Sequence, residues 1–418
     1  MQNFNIKNGV TATFIKNERF NANMLAVRFL LPLNSRTVTE NAMAAELISS
    51  CSAKYPSPEK LSLKLMQLYG AHISASTEKI GNSQLITLRV VGIKNGLGIS
   101  GEDCFSEALQ VFREVVFNPS LEGDAFKVED VNRIKSMWCD KIKSEINDKR
   151  IYAKNRLEQI MFESSPYGVN KYGYIENAQN ADGAVLYSAY KRLITEAKIN
   201  ISFVGAEYPE QFINEILVSL PDSDRYVDTV SHIEKREVTE HVERIDITQG
   251  KLVMGFRLEG FGEETDTYVN AIICDIFGGG TYSKLFSEVR EKMSLCYYCS
   301  ARANRYMGVM FVESGVDEVN ATKAKEAILK QLEDLKSGNF SDEVLLSSKR
   351  SFRNMLNAVG DSISGVDSWY GARLVQKKPL SPKEFLELID SVTREQIIEG
   401  AKKITPDTIF YLLGKEEG

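Results

Sequence analysis

Apolar residues at the start of the chain alternate with polar ones and then change to helical spacing. The segments FNIK and TATFI flank Asn8-Gly9, a dipeptide typical of tight β-turns, so they predict a hairpin. Residues 23–33 are largely apolar, which indicates a strand buried on both faces. A polar turn then leads to the segment NAMAAELISSC, which predicts the first helix.

A second helix follows, with Ser57 as N-cap, Pro58 at the first helical position and Gly70 as C-cap. Two alternating segments at 71–79 and 83–92 predict paired strands. The remaining elements of the first half are predicted as helices at about 102–117, 123–162 and 175–195, and a strand at 199–206.

The second half of the chain repeats this order of elements. Strands are predicted at 251–261, 295–303, 308–316 and 408–414, and helices at 268–277, 281–293, 320–338 and 341–360. The polar segment 220–247 predicts an inter-domain linker followed by the first strand of the second half. The predicted fold class is therefore α+β, with two homologous domains from an internal duplication. Each domain is expected to be a mainly antiparallel sheet flanked by helices, at 1–219 and 244–418, with the linker at 220–243.

Composition narrows the class of protein. The 418 residues carry a net charge of −6, so the sequence gives no sign of the basic face that binds nucleic acid. No apolar run approaches roughly 18 residues, and the first residues lack the pattern of a signal peptide, so we expect neither a membrane span nor a secreted protein. Six cysteines are then expected to be reduced thiols of a cytoplasmic protein.

Histidines are too few and too widely spaced for the helical zinc motif His-x-x-Glu-His. The chain contains His72, His232 and His241, and no two of them are four residues apart. We therefore predict that they occupy strand and linker positions and bind no metal.

Cys296 and Cys299 form a lone C-x-x-C motif. On an extended strand, residues i and i+3 lie about 10 Å apart on opposite faces. A disulfide needs Cα atoms within about 7 Å, and a zinc site would need a second pair. We therefore predict buried free thiols.

The segment FGGGTYSK places Gly278, Gly279 and Gly280 before a helix. Such a turn could bind phosphate through backbone N–H groups, but it lacks the spacing of a P-loop and does not lie in a βαβ unit. We predict a mobile or tightly turned loop near a cavity.

Arg290 and Tyr297 are close to the junction of the next helix and strand. The residues alone leave two interpretations open: a surface arginine near a helix end with a packed tyrosine, or a site. Strand alternation places Tyr297 on one face with Leu295 and Cys299, and Tyr298 on the other.

Several separated segments resemble the pitrilysin/insulinase family of zinc metallopeptidases, which includes proteins similar to the mitochondrial processing peptidase. GGGTYSKLFSEVREKMSLCYYCSA resembles the signature of the family's second half. YPSPEKLSLKLMQLYGAHISAST and SSPYGVNKYG resemble segments of its first half. The matches occur in the family's order and extend over essentially the whole chain, including the duplication.

The chain departs from the family where active members carry His-x-x-Glu-His. Aligned without a gap, Ala42 and Glu46 occupy the two histidine positions and Ala45 that of the general base. A shift by one residue keeps Glu46 as the glutamate but replaces the histidines by Met43 and Leu47. Both imidazole ligands are absent in either alignment.

The resemblance implies further roles. Glu145 lies near the place of the family's third zinc ligand, but a single carboxylate cannot hold zinc. Without a metal to activate water, we expect no hydrolysis by this chain alone. Arg290 and Tyr297 match a substrate-clamping pair, although Met293-Ser294 replaces the family's usual Arg-Gly just before it.

The resemblance therefore implies a non-catalytic, substrate-clamping subunit of a heterodimeric zinc peptidase. A partner of similar size would carry the zinc, and a peptide would bind in an enclosed chamber, with the strand AHISAST as the candidate edge for pairing. Two alternatives stay open: a structural subunit similar to the core proteins of the respiratory cytochrome bc complex, and a stand-alone peptide-binding homodimer.

Overall fold

The fold is taken from a computed structural model, which describes residues 2–221, 237–258, 264–376 and 379–415. The strands are β1 (Gln2–Lys7), β2 (Val10–Lys16), β3 (Ala22–Pro32), β4 (His72–Ile80), β5 (Ser83–Ile93), β6 (Leu121–Glu122), β7 (Ala125–Phe126), β8 (Lys198–Gly205), β9 (Thr239–Ile245), β10 (Gly250–Leu258), β11 (Tyr298–Asn304), β12 (Val309–Val316) and β13 (Ile404–Gly414).

The α-helices are α1 (Val38–Ile48), α2 (Pro58–Gln67), α3 (Cys104–Phe117), α4 (Val128–Ser144), α5 (Lys149–Met161), α6 (Ile175–Asn180), α7 (Gly183–Thr195), α8 (Glu210–Ser219), α9 (Glu264–Gly278), α10 (Glu318–Lys336), α11 (Asp342–Ala358), α12 (Ile363–Gly371), α13 (Pro382–Ser391) and α14 (Arg394–Lys402). The described residues also form a π-helical segment, Leu285–Lys292, and three short 3₁₀ turns, Glu145–Asn147, Pro166–Gly168 and Val359–Asp361. No helix in the described ranges is both long enough and apolar enough to cross a bilayer.

The two main sheets share one strand order, and this confirms the predicted α+β fold with two similar halves. The six-stranded sheet has the order β1-β2-β8-β3-β5-β4, and the five-stranded sheet has the order β11-β12-β10-β13-β9. In each sheet one pair is parallel, β2 with β8 and β13 with β9, and the other pairs are antiparallel. Read in reverse, the order of the five-stranded sheet matches that of the six-stranded sheet once β1 is left out. This agrees with the predicted repeat.

The compact units do not follow the linear order of the chain. The first unit comprises Met1–Ser144, Val169–Thr229 and Gly360–Lys377, and the second comprises Glu145–Gly168, Val230–Val359 and Lys378–Gly418. Helix α5, from the first half of the sequence, covers β10 and β13 of the second unit. Helix α12, from the second half, covers β8 and β3 of the first unit. The predicted division at 1–219, 220–243 and 244–418 did not include this exchange of two segments between the units. Most of the predicted linker, 222–236, lies outside the described residues.

The prediction of a single helical stretch at 123–162 is wrong. It is replaced by the short β6–β7 pair and by α4 and α5, because Asp148 accepts hydrogen bonds from the backbone N–H groups of Arg150 and Ile151 and so begins a new helix. The helix predicted at 175–195 is likewise two helices, since Asp182 caps the second through Val185 at 2.8 Å.

Helix α2 begins as predicted and ends earlier than predicted. Ser57 accepts from the backbone N–H of Lys60 at 3.4 Å, and Pro58 is the first helical residue. Leu68, rather than Gly70, is the C-cap, because the backbone turns left-handed at Tyr69, with φ +56°, before the glycine, with φ +73°.

Each unit has its own apolar core. In the first unit, α1 is buried over almost its whole length and packs against α7 and α4. In the second unit, α5 covers one face of the five-stranded sheet through Leu157 and Met161, which pack with Val253 and Phe311. Burial of α1 on nearly all sides explains why its sequence has little amphipathic pattern.

Candidate functional site

Helix α1 carries no donor set for zinc. Ala42 and Ala45 are each 1% exposed and end in methyl groups, and Glu46 is half-buried. Burial raises the pKa of Glu46, against the opposing charges of Lys141 and Arg133. One carboxylate flanked by two methyl groups and facing cations does not fit a zinc ion, which takes four N, S or O ligands.

The alternative alignment gives no better site. Met43 and Leu47 are fully buried in the core of the first unit. Glu145 belongs to the second unit, where its carboxylate accepts a hydrogen bond from Asn155 at 3.4 Å. Throughout the described part of the chain, no group of three or more His, Cys, Asp and Glu side chains could hold a metal ion.

The two described histidines belong to different compact units. His72 is exposed at the first position of β4, and His241 lies in β9. His232 lies outside the described residues. The strand that contains His72 is at the edge of the six-stranded sheet, as predicted for AHISAST.

The glycine triplet is closely packed. A Cβ at Gly278 would lie 2.5 Å from the backbone nitrogen of Ala301, and one at Gly279 would lie 2.1 Å from Oδ1 of Asp275. The hydroxyl of Tyr282 donates to Asp275 at 2.6 Å, and a Cβ at Gly280 would meet this same tyrosine ring at 2.7 Å. Close approach to backbone atoms therefore requires glycine at Gly278 and Gly279, whereas at Gly280 the nearest atoms belong to a side chain.

Beyond the triplet, the chain forms a π-helical segment and then a left-handed turn. Ser294 has φ +52°, one of two non-glycine residues with positive φ among the described residues. A glycine would adopt this conformation without strain, and the family that the chain resembles usually has a glycine at this position.

Arg290 connects this segment to the start of β11. Its Nε donates to the carbonyl oxygen of Tyr297 at 3.0 Å, and Nη1 donates to Glu291 at 3.0 Å. The guanidinium also lies over the ring of Phe286, 4.4 Å from the centroid. These contacts hold the cation beside Tyr297, so the structure brings together the two residues that the sequence singled out.

Tyr297 presents its phenol to solvent. The residue is 57% exposed, and its hydroxyl donates to the carboxylate of Asp317 at 3.1 Å. This hydrogen bond and the negative charge of Asp317 raise the pKa of Tyr297. The neighbouring Tyr298 is half-buried, and the guanidinium of Arg150 lies 4.8 Å from the centroid of its ring. The predicted shared face of Tyr297 with Leu295 and Cys299 is wrong, because those two residues are buried and the strand begins only at Tyr298.

A shallow depression of about 520 Å³ opens at this point on the second unit. It is lined by Arg290, Glu291, Ser294, Cys296 and Tyr297. The depression lies at the beginning of β11, which is an edge strand of the five-stranded sheet. A permanent cation and a phenol therefore share a surface where an extended chain could also meet unpaired backbone groups.

Cys296 and Cys299 are both free thiols; the predicted burial holds for Cys299, whereas Cys296 is half-buried. The predicted strand at 295–303 begins instead at Tyr298, because the left-handed turn at Ser294 interrupts it. Cys296 therefore lies outside the regular strand.

Comparison with known proteins identifies the fold and the family. The chain is 30% identical over 412 residues, 98% of its length and 96% of the relative's, to the "Probable inactive metalloprotease YmfF" of Bacillus subtilis strain 168. The chain belongs to the M16, or pitrilysin-like, peptidase family. Residues 180–352 match the family model "Peptidase M16 inactive domain", and the chain is accordingly an M16 peptidase homologue of the inactive type.

Two solved structures share this fold over essentially the full length of the chain. A conserved protein from Enterococcus faecalis V583 superposes with a TM-score of 0.92 at 25% identity, covering 100% of this chain and 99% of that one. The M16 inactive domain from Pseudomonas fluorescens superposes with a TM-score of 0.81 at 17% identity, covering 99% and 98%. The latter supports the fold alone.

Two features of the site escaped the sequence analysis. Asp317, which binds the phenol of Tyr297, is twenty residues distant, and no motif marks it. The later start of β11, at Tyr298, was missed because strand geometry was assumed from Leu295 onward. The mismatch between Ser294 and the expected glycine was the one available signal of a turn there.

Proposed function

We propose that this M16 homologue is the non-catalytic, substrate-clamping subunit of a heterodimeric zinc-dependent peptidase that acts on peptides in an enclosed chamber. The observation that carries the proposal is the pairing of Arg290 with Tyr297 beside an open depression, in a chain that has Ala42 and Glu46 in place of the two zinc-binding histidines. A zinc-bearing partner of similar size would supply the metal. The six free cysteines are the basis for placing the complex in the cytoplasm.

The chemistry of the pair fits peptide binding. A guanidinium donates hydrogen bonds to a peptide carbonyl, and a phenol donates to the negative charge that develops on a carbonyl oxygen during attack. Tyr297 donates to Asp317 in the resting chain. It would exchange this carboxylate for the substrate oxygen, and its exposure leaves room for the exchange.

The test is a gentle purification of the tagged chain from its native cell. Co-purifying chains, zinc content and peptidase activity are measured on the same fraction. We expect a stoichiometric partner of about equal size with His-x-x-Glu-His and one zinc per pair. Recovery of this chain alone, free of zinc and inert, would contradict the proposal and favour the homodimer that binds peptides by itself.

Variants of the assembled complex test the clamp. Arg290→Ala and Tyr297→Phe are each expected to reduce kcat/KM, in the range of about 10²–10³-fold known for the loss of one oxyanion donor. Arg353→Ala is the matched arginine control, since this exposed residue pairs with Asp390 on another surface. Tyr69→Phe is the matched tyrosine control, because its phenol also donates to a carboxylate, that of Glu102. Full activity in both clamp variants would show that the subunit is structural.

A further inference from the structure

Helices α5 and α12 cover equivalent places in two similar sheets. Helix α5 contacts β10 and β13 of the second unit, and α12 contacts β3 and β8 of the first. When the order of the five-stranded sheet is reversed, β10 takes the place of β3, and β13 takes that of β8. Each sheet therefore offers both helices a place with the same arrangement of strands. Strand order alone does not determine which helix binds to which sheet.

Apolar packing distinguishes poorly between the two places. In the second unit, Leu157 and Met161 of α5 pack with Val253. In the first unit, Val366 of α12 packs with Val204. Contacts between aliphatic side chains are non-directional, and cores accept exchanges between apolar residues of similar size. The apolar faces therefore attract each helix to either sheet, so another interaction has to distinguish them.

Buried charges differ between the two places. In the first unit, Asp367 of α12 accepts hydrogen bonds from Arg28 of β3 at 2.5 Å and from Arg89 of β5 at 3.1 Å. Asp367 and Arg28 are each 1% exposed. The helix therefore carries the negative charge of this contact, and the sheet carries the positive charge.

The second unit has the opposite polarity. The Nε of Arg150 in α5 donates to Glu313 of β12 at 2.5 Å, and Glu313 is 5% exposed. In the reversed strand order, β12 takes the place of β5, the strand that carries Arg89. In this unit the helix is positive at the contact and the sheet is negative.

An interchange of the two helices would bring like charges together. Arg150 would face the two arginines of the first sheet, and Asp367 would face Glu313 of the second. Lys251 of β10 lies over the same Tyr298 ring as Arg150, so it would offset part of the repulsion between Asp367 and Glu313. The discrimination is therefore stronger against α5 on the first sheet. Repulsion of the wrong partner is a general source of specificity, because buried like charges are strongly unfavourable.

We propose that these two ion-paired sites determine during folding which helix binds to which sheet. Asp367 directs α12 to Arg28 and Arg89, and Arg150 directs α5 to Glu313. A chain with two similar halves is exposed to misassembly between them, and pairs of opposite polarity exclude the interchanged arrangement. The inference does not rest on the proposed peptidase role, because it concerns the folding of this chain alone.

The decisive variant keeps both pairs but gives them the same polarity. In the double variant Arg150→Glu, Glu313→Arg, the second pair is still complementary, but both helices are negative at the contact and both sheets are positive. A pair that only stabilises the native fold would be restored by this exchange. Pairs that distinguish the two helices would lose that ability.

The experiment unfolds the full-length chain in urea and refolds it by dilution. Each variant is refolded at the same distance below its own unfolding midpoint, so that differences in stability are removed. The native yield is the fraction that elutes with the parent protein and has its tryptophan emission. Trp369 lies in α12 and is 8% exposed, so its emission reports the docking of this helix.

We expect Arg150→Glu alone to lower both the midpoint and the native yield. The double variant should recover most of the lost midpoint, because the pair is complementary again, but its native yield should stay low. A native yield equal to that of the parent in the double variant would overturn the proposal. The pairs would then stabilise the fold without determining where each helix binds.

A second comparison tests the pair of the first unit. Asp367→Asn keeps the size of the side chain and removes its charge. Val366→Ala is the matched control in α12, because it removes buried apolar atoms from the neighbouring position and keeps the pair. At equal distances below their midpoints, Asp367→Asn should refold with a lower native yield than Val366→Ala. Equal yields of these two variants would also overturn the proposal.

Discussion

Replacing Asp367 by alanine should destabilise the first unit strongly, because this carboxylate is the buried partner of two arginines. Its Oδ1 accepts from Arg28 at 2.5 Å and from Ser202 at 2.9 Å, and Oδ2 accepts from Arg89 at 3.1 Å. Asp367 and Arg28 are each 1% exposed. Asp367 lies in α12, so these contacts hold a segment from the end of the chain on the sheet of the first unit.

The expected loss in the free energy of unfolding follows from the burial of this ion pair. Removing one partner of a buried pair leaves the other charge uncompensated and costs about 3–5 kcal/mol. With a urea m-value of about 2 kcal/mol/M, the midpoint of unfolding should fall by about 1.5–2.5 M. Glu78→Ala is the matched control in the same unit: Glu78 meets Lys171 at 2.9 Å but is 61% exposed, so about 0–1 kcal/mol is expected.

Tryptophan fluorescence is the suitable assay. The chain has two tryptophans, Trp138 and Trp369, and both belong to the first unit, so their emission follows this unit without interference from the second. A midpoint shift in Asp367→Ala no larger than that of the Glu78→Ala control would refute the reasoning. It would mean that Arg28 finds water or another partner when Asp367 is removed.

The pH dependence gives an independent check. Burial alone would raise the pKa of Asp367, but the charge and hydrogen bond of Arg28, with those of Arg89, hold it below its usual value. A depressed folded-state pKa contributes stability above the unfolded pKa of about 3.9, and this is lost as the pH falls through the folded value. The difference between the parent chain and Asp367→Ala should therefore shrink below about pH 4.

Three further changes test the candidate site. Ser294→Gly should raise the free energy of unfolding by up to about 1 kcal/mol, measured by calorimetry. Glycine relieves the strain of a left-handed serine, and the greater flexibility of the unfolded chain offsets part of the gain. A lower Tm would contradict this expectation. Asp317→Ala should lower the pKa of Tyr297 toward about 10. The signal of Tyr297 is the difference between ultraviolet titrations of a chain and of the same chain with Tyr297→Phe. An unchanged pKa would exclude the hydrogen bond. Gly279→Ala should cost about 1–3 kcal/mol by thermal unfolding, since its Cβ would lie 2.1 Å from Asp275, and a loss below about 0.5 kcal/mol would show that the loop is not tightly packed.

Local pattern and residue chemistry were sufficient for much of this protein. Alternation and turn residues predicted the strands of both sheets and the repeat that their shared strand order displays. The N-cap at Ser57 followed from side-chain chemistry alone. The loss of the histidine pair also followed directly, because no packing arrangement can make the methyl group of Ala42 bind a metal, and Glu46 alone cannot hold zinc.

Tertiary structure decided whatever depends on which surface an element meets. Periodicity marks the apolar face of α5 or α12 but not the sheet that the face covers, so the exchange of these helices between units was invisible in the sequence. The Arg28–Asp367 pair joins residues 339 positions apart, and the partner of Tyr297 is equally unmarked. In each case the deciding contact is non-local, and local propensity carries no information about it.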